Sequence, residues 1–259
     1  MNVPRDVLQR EVEYHERLYS GFAQKHFSKA AVRELRAHLV GRMLSMCPVG
    51  LESRVLSLGC GIGDTELLLA PHVGELIGVD LSPAGIRQAQ ADAATAGLTN
   101  ARFLHGTIDD VEGEFDFIYA IFFLHHLPDE SLPGTARTIA GRLRPGGWFY
   151  SLDPNRYRLS GALGKLLVPH LMRKYQTPDE RELPPSPTAD LFRQAGLDAR
   201  HEYYDMLSTP LGGLLPGWRS GYRVVRAIDE VFLRIPLFRR FASSFEVIAR
   251  KSTERSPMR

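Results

Sequence analysis

The sequence predicts an α/β fold, doubly wound about a mostly parallel sheet, and three observations carry that expectation. The stretch from Arg54 to Asp80, RVLSLGCGIGDTELLLAPHVGELIGVD, passes from an apolar segment (Val55, Leu56, Leu58) through a glycine turn into a helical pattern, then into a second apolar run closed by Asp80. That is strand, turn, helix, strand. Further short apolar runs near residues 102–105, 115–120 and 148–152 alternate with helical patterns that begin near Ser82 and Ser131, and such alternation builds a parallel sheet with helices on both faces. The joints carry Pro83, Gly97 and Pro145-Gly146-Gly147, residue types that start or stop helices and turns.

Length and composition set the bounds. With 259 residues, 44% hydrophobic and 24% charged, the chain can bury a full core and reads as one domain with additions. No apolar run approaches the roughly 18 residues needed to span a bilayer, and MNVPRDVLQREVEYHER has no apolar signal-peptide core; the expectation is a cytoplasmic protein. Cys47 and Cys60 form no disulfide framework and read as reduced thiols, Cys60 as a small turn residue.

Residues 1–50 read as a helical cap. Leu18, Phe22, Val32, Leu35 and Leu39 recur at helical spacing, one buried stripe per helix. Next comes the turn with Gly59, Gly61 and Gly63, where a ligand can approach the main chain and the amides opening the following helix face a polar group. Asp80 stands 21 residues after Gly59, at the carboxyl end of the second strand, where a carboxylate can accept hydrogen bonds from ribose hydroxyls. A nucleoside is therefore the expected ligand. A dinucleotide fingerprint would need glycine at position 64, but Asp64 would repel a pyrophosphate and suits a cationic ligand.

From Gly59 to Asp64 the turn resembles the G-x-G-x-G motif of the class I S-adenosylmethionine-dependent methyltransferases. The resemblance implies a Rossmann-like, doubly wound sheet of seven strands with S-adenosyl-L-methionine as cofactor. It places Gly59, Cys60, Gly61, Gly63, Asp64, Asp80 and Leu81 against that cofactor, with Tyr14 and Tyr19 of the cap as candidate pocket residues; plain packing of the stripe that also holds His15 is the alternative. After a helix that starts at Ser82-Pro83 and ends at Gly97, and a short strand over Arg102–His105, the turn at Gly106-Thr107-Ile108-Asp109 would meet the adenine edge through Ile108 and Asp109. A fourth strand, Phe115–Ala120, runs into FFLHHLPDE, so that the stretch from Ala120 to His126 would face the transferred methyl group. The spelling L-H-H-L-P-D is similar to the corresponding segment of the ubiquinone and menaquinone biosynthesis type. Two roles are open to His125 and His126: a general base, or wall and loop contacts. They do not make a metal site, because adjacent histidines rarely converge on one ion.

The L-R-P-G-G turn and a strand over Trp148–Leu152 complete the pattern, so the resemblance covers residues 53–153. Ser57 and Thr107 depart from it, since many relatives carry an acid at each position. Beyond Asp153 two insertions are expected, about 155–187 and 205–240. The first carries Arg156, Arg158, Lys165, Arg173 and Lys174; the second carries Trp218, Tyr222 and Arg219, Arg223, Arg226 and Arg234. A helix, TADLFRQAGL, and strands near Ala199–Tyr204 and Ser244–Ala249 stand around the second. From Arg219 onward ten Arg or Lys oppose four Asp or Glu, against +2 for the whole chain. An anionic or lipid-like small-molecule acceptor, peripheral contact with an anionic membrane, and a solvated basic face all fit that asymmetry. Nucleic acid is not expected, for no recognised motif accompanies the charges. Outside the methyltransferase reading stand a catalytically silent nucleoside-binding or scaffold protein and a nicotinamide-dependent oxidoreductase.

Overall fold

A computed structural model describes residues 5–19, 26, 28–161 and 181–253. Its centre is a seven-stranded sheet in the order β3-β2-β1-β4-β5-β7-β6, built from β1 (Arg54–Leu58), β2 (Glu75–Asp80), β3 (Ala101–His105), β4 (Phe115–Ile121), β5 (Leu143–Pro154), β6 (Leu197–Asp205) and β7 (Ser244–Lys251). Strands β1 to β5 are parallel, and β7 runs antiparallel to both β5 and β6. The strand order reverses between β1 and β4, which opens a crevice at their carboxyl ends.

The central strands are almost wholly buried, as β1 and β4 show, because helices cover both faces. On one face α2 (Ala30–Met46) lays Leu35, Leu39 and Met43 against Val55, Phe117, Tyr119 and Tyr150. On the other, α5 (Leu132–Arg142) and α6 (Pro185–Gln194) pack Ile139 and Phe192 against Ile118 and Phe149. The Phe149 and Phe192 rings stack with centroids 4.4 Å apart. Burying each such side chain contributes about 1.5–3 kcal/mol. Arg42 of α2 grips both oxygens of buried Glu246 on β7 at 2.5 and 2.6 Å, and Tyr150 donates to the same carboxylate at 2.5 Å.

The remaining helices are α1 (Arg5–Tyr19), the single turn α3 (Glu66–Leu69), α4 (Pro83–Thr95), α7 (Ser208–Leu214), α8 (Arg219–Leu233) and α9 (Pro236–Arg239). Ser82 caps α4 as its residue type suggests, its hydroxyl accepting from Gly85 N. Three boundaries differ from the sequence expectation. Pairing of β5 begins at Leu143, so the Pro-Gly-Gly turn is an irregularity inside the strand, where the register with β4 shifts. Helix α6 begins at Pro185, since proline suits the first helical turn. Strand β7 continues to Lys251.

Of the first insertion, Lys165, Arg173 and Lys174 lie outside the described residues. Its roots are well tied: Asn155 Nδ2 donates to the carbonyls of Arg240 and Ala242, and Arg158 pairs with Glu182. Three of the arginines of the second insertion have partners within the chain. Arg219 and Arg223 both bind Glu34 of α2, and Arg226, buried, donates to the Tyr204 carbonyl at 2.7 Å with its guanidinium 4.7 Å from that ring. Among the described residues no helix is long and apolar enough to cross a membrane.

Candidate active site

A cavity of about 400 Å³ lies at the carboxyl ends of β1, β2 and β4. Its floor is the turn after β1. Gly59 and Gly61 have φ of +70° and +54°, a region that side chains avoid. A Cβ on Gly61 would stand 2.7 Å from the Tyr19 hydroxyl, and one on Gly59 would stand 2.6 Å from the Phe123 ring. Asp80 fastens the floor to the next loop: Gly61 N donates to Oδ2 and Ser82 N to Oδ1, each at 2.8 Å. Burial raises the Asp80 carboxyl and the two amides work against it.

Two elements from outside the core roof the cavity. Helix α1 turns Val12, His15 and Tyr19 toward it, positions one helical turn apart on one face. Its docking rests on Glu16, whose Oε1 accepts from Ser82 Oγ at 2.8 Å and from Ala84 N at 2.7 Å. A carboxylate is favoured at the start of α4, and the Ala84 amide lowers the Glu16 carboxyl from its ordinary range. From the second insertion α7 adds Thr209, Gly212 and Gly213. Asp229 of α8 holds α7 in turn, accepting from Leu207 N at 3.0 Å and Ser208 N at 2.9 Å.

Acidic groups in and beside the cavity have different surroundings. Asp64 is bound by Arg36 of α2 at 2.7 Å. Glu66, the first residue of α3, is buried among the lining residues, and its Oε1 accepts from Ser57 Oγ at 2.6 Å and Tyr119 OH at 2.8 Å. Its Oε2 has no hydrogen-bond partner among the described residues. Asp153 at the end of β5 receives the His125 amide at 3.2 Å and stands 3.0 Å from His125 Nδ1; burial pushes its carboxyl up to about 7.

Of the residues expected from sequence, Gly59, Cys60, Gly61, Asp64, Asp80, Leu81, Ile108, Tyr19 and His126 line the cavity, and His15, which the sequence reading did not retain, lines it as well. Gly63, Asp109, Ala120, Tyr14 and His125 are not among the lining residues. Gly63 serves close packing, as a Cβ there would meet Ala89 at 2.9 Å. Asp109 is exposed on a 3₁₀ turn whose capping acid is Asp110, bound to Thr107 N at 2.8 Å. Ala120 is buried between Leu58 and Ser151 inside the sheet. Tyr14 lies beside His15, 5.4 Å between ring centroids; successive helical residues point about 100° apart. His126 stands edge-on to His15 at 5.2 Å. Burial pushes the Cys60 thiol up, which removes it as a nucleophile. Sequence reasoning missed Glu66 and Arg36, and it covered Phe122 and α7 only as parts of the stretch 120–126 and of the second insertion, without singling them out. An acid in the first turn after the glycines was the available signal for Glu66. For Phe122, which holds φ +53° on the cavity wall, residue type carries none.

A family model described as a methyltransferase domain matches residues 55–147. The uncharacterized methyltransferase YcgJ of Bacillus subtilis is 32% identical over 117 residues, 44% of this chain and 46% of that protein. A ubiquinone biosynthesis O-methyltransferase of Albidiferax ferrireducens is 29% identical over 163 residues, 60% of this chain and 64% of that protein. The chain thus spans less than two thirds of either relative. The crystal structure of YcgJ covers 83% of this chain and 98% of its own, with 25% identity and a TM-score of 0.57. Magnesium protoporphyrin IX methyltransferase from Synechocystis, solved with bound S-adenosylhomocysteine, shares the fold at 14% identity with a TM-score of 0.61, covering 93% of this chain and 94% of its own. With the glycine floor, the acid closing β2 and the antiparallel seventh strand all in the expected order, the chain has the fold of the class I S-adenosylmethionine-dependent methyltransferases, and residues 55–147 match a methyltransferase domain.

Proposed function

We infer that the chain transfers a methyl group from S-adenosylmethionine to a small molecule with an apolar body. The observation that carries the reading is the floor: two left-handed glycines with no room for a Cβ, locked by Asp80 to the loop after β2. The residues fit the cofactor. Each Asp80 oxygen takes one amide and keeps a lone pair for a ribose hydroxyl. Thr107 and Ile108 offer a wall for the base, and the partnerless Glu66 Oε2 offers an acceptor for a cationic donor.

When bound, the cofactor supplies a methyl group already activated on a sulfonium, so the protein's task is to hold the acceptor in line and exclude water. Val12, His15 and Tyr19 from α1 and Gly212 and Gly213 from α7 do the excluding. Ile121, Phe122, Phe123 and Leu127 suit an apolar acceptor body, and the arginine among the lining residues, Arg36, is taken by Asp64. His126 on the cavity wall is the group placed to take a proton from a hydroxyl, and the O-methyltransferase name of one relative agrees with such an acceptor. Titration with S-adenosylhomocysteine tests the reading. Asp80→Ala weakens binding by about 1.5–3 kcal/mol, the range for losing a charge-assisted partner, and Gly61→Val weakens it more. Equal binding by parent and Asp80→Ala would overturn the assignment.

A further inference from the structure

The geometry points to Glu66 as a proton-exchanging seat for the cofactor's ammonium group, neutral in the empty cavity and ionised once that cation docks. The inference rests on the cofactor reading above and adds a role for a residue outside the glycine pattern. Its basis is an asymmetry within one carboxyl group. Ser57 on β1 and Tyr119 on β4 stand side by side in the sheet, and both donate to Oε1. Among the described residues no group serves Oε2, although the atom is buried and the residue lines the cavity. A buried carboxylate oxygen without a donor is costly. Two states relieve that cost: a proton on Oε2, or a cation against it.

The surroundings favour the proton while the cavity is empty. Burial first, and then the charge of Asp64, push the Glu66 carboxyl up to about 7, against the pull of Ser57 and Tyr119. The other titratable groups that face it are the Tyr119 hydroxyl and the Cys60 thiol, both raised far above their ordinary range and so uncharged. Arg36 from α2 is the nearby cation, and it is bound to Asp64. An ammonium group arriving in the cavity changes the balance. The Oε2–H bond breaks, its proton leaves to solvent, and the carboxylate accepts an N–H from the ligand, whose own charge is unchanged. Cofactor affinity therefore rises with pH up to neutrality and then levels off.

Calorimetry with two probes isolates this step: S-adenosylhomocysteine, which carries the ammonium group, and methylthioadenosine, which lacks it. Comparing buffers of different ionisation enthalpy at about pH 6, the parent releases close to one proton with the first probe and none with the second. Glu66→Gln keeps the hydrogen bonds to Ser57 and Tyr119. It releases no proton, binds S-adenosylhomocysteine roughly 10- to 100-fold more weakly, and binds methylthioadenosine like the parent. Tyr119→Phe, which removes one donor, moves the midpoint of the pH dependence upward while binding persists. Proton release that survives in Glu66→Gln, or an unchanged affinity there, overturns the inference. A parent that binds both probes without proton release overturns this inference alone, whereas a parent that binds neither overturns the cofactor reading with it.

Discussion

His125 and His126 are neighbours in sequence with opposite surroundings. The chain leaves β4 through Phe122 in a left-handed conformation and enters a 3₁₀ turn; one imidazole is thereby tucked against Asp153 and the other turned to the cavity. Their substitutions should therefore fail differently. His126→Ala lowers turnover by about 10²- to 10⁴-fold with S-adenosylhomocysteine affinity nearly unchanged, as for the loss of a general base. His125→Ala leaves the buried Asp153 carboxyl without its ring partner and lowers stability by about 1–3 kcal/mol. Urea unfolding of both variants beside product release over a panel of hydroxylated acceptors separates the two; a loss below about tenfold for His126→Ala would assign it to the wall. The pair was visible in the sequence, but which ring meets the cavity depends on one left-handed residue that no residue type announces. Asp64 was legible only in part: its charge suggested a cationic ligand, but its partner, Arg36, comes from a helix that the glycine motif does not include.

At the scale of elements, what was legible follows from how local the signals are. The strands of the core announced themselves by apolar runs, the helices by Ser82-Pro83 and Gly97, and the observed bounds differ by only a few residues. The roof was legible as a cap and an insertion, but its contacts were not, because they are long-range: Glu16 reaches Ala84 across 68 positions, and Arg219 reaches Glu34 across 185. For the same reason the arginines of α8 read as a free basic face when they bind α2 and β6. Among the described residues Glu16 hydrogen-bonds α1 to the start of α4, and its role can be tested alone. Glu16→Ala removes two hydrogen bonds to one carboxylate oxygen, both of them charge-assisted. Amide hydrogen exchange over residues 5–19 should accelerate and S-adenosylhomocysteine should dissociate faster, while exchange in β1 and β4 stays as in the parent. Unchanged exchange in α1 would show that other contacts dock it.

For the whole molecule, the buried ionisable groups set an acidic optimum of stability. Burial raises Glu66 and Asp153 to about 7 and Asp205 to about 6, from ordinary values of 4.5, 3.8 and 3.8. Each therefore binds its proton more tightly when folded, so its contribution is complete below the ordinary value and is lost as pH rises toward the folded one. His38 has the opposite sense: burial lowers it from 6.5 to about 4, and its contribution is lost as pH falls through that window. With three groups against one, the thermal midpoint of the ligand-free protein should fall from about pH 5 to just above 7 and then level off, as scanning fluorimetry across that range would reveal; a midpoint that rises from pH 5 to 7 would contradict the assignment. The sheet order has a further consequence, during synthesis. Strand β7 is made after β6 yet lies between β5 and β6, so β6 leaves the ribosome with no strand to pair with. That edge stays open until Ser244–Lys251 emerges and inserts, and Asn155, far upstream, must also wait for the carbonyls of Arg240 and Ala242. Until then the nascent chain offers an unpaired edge to any other strand it meets, the interval in which a holding chaperone would matter most.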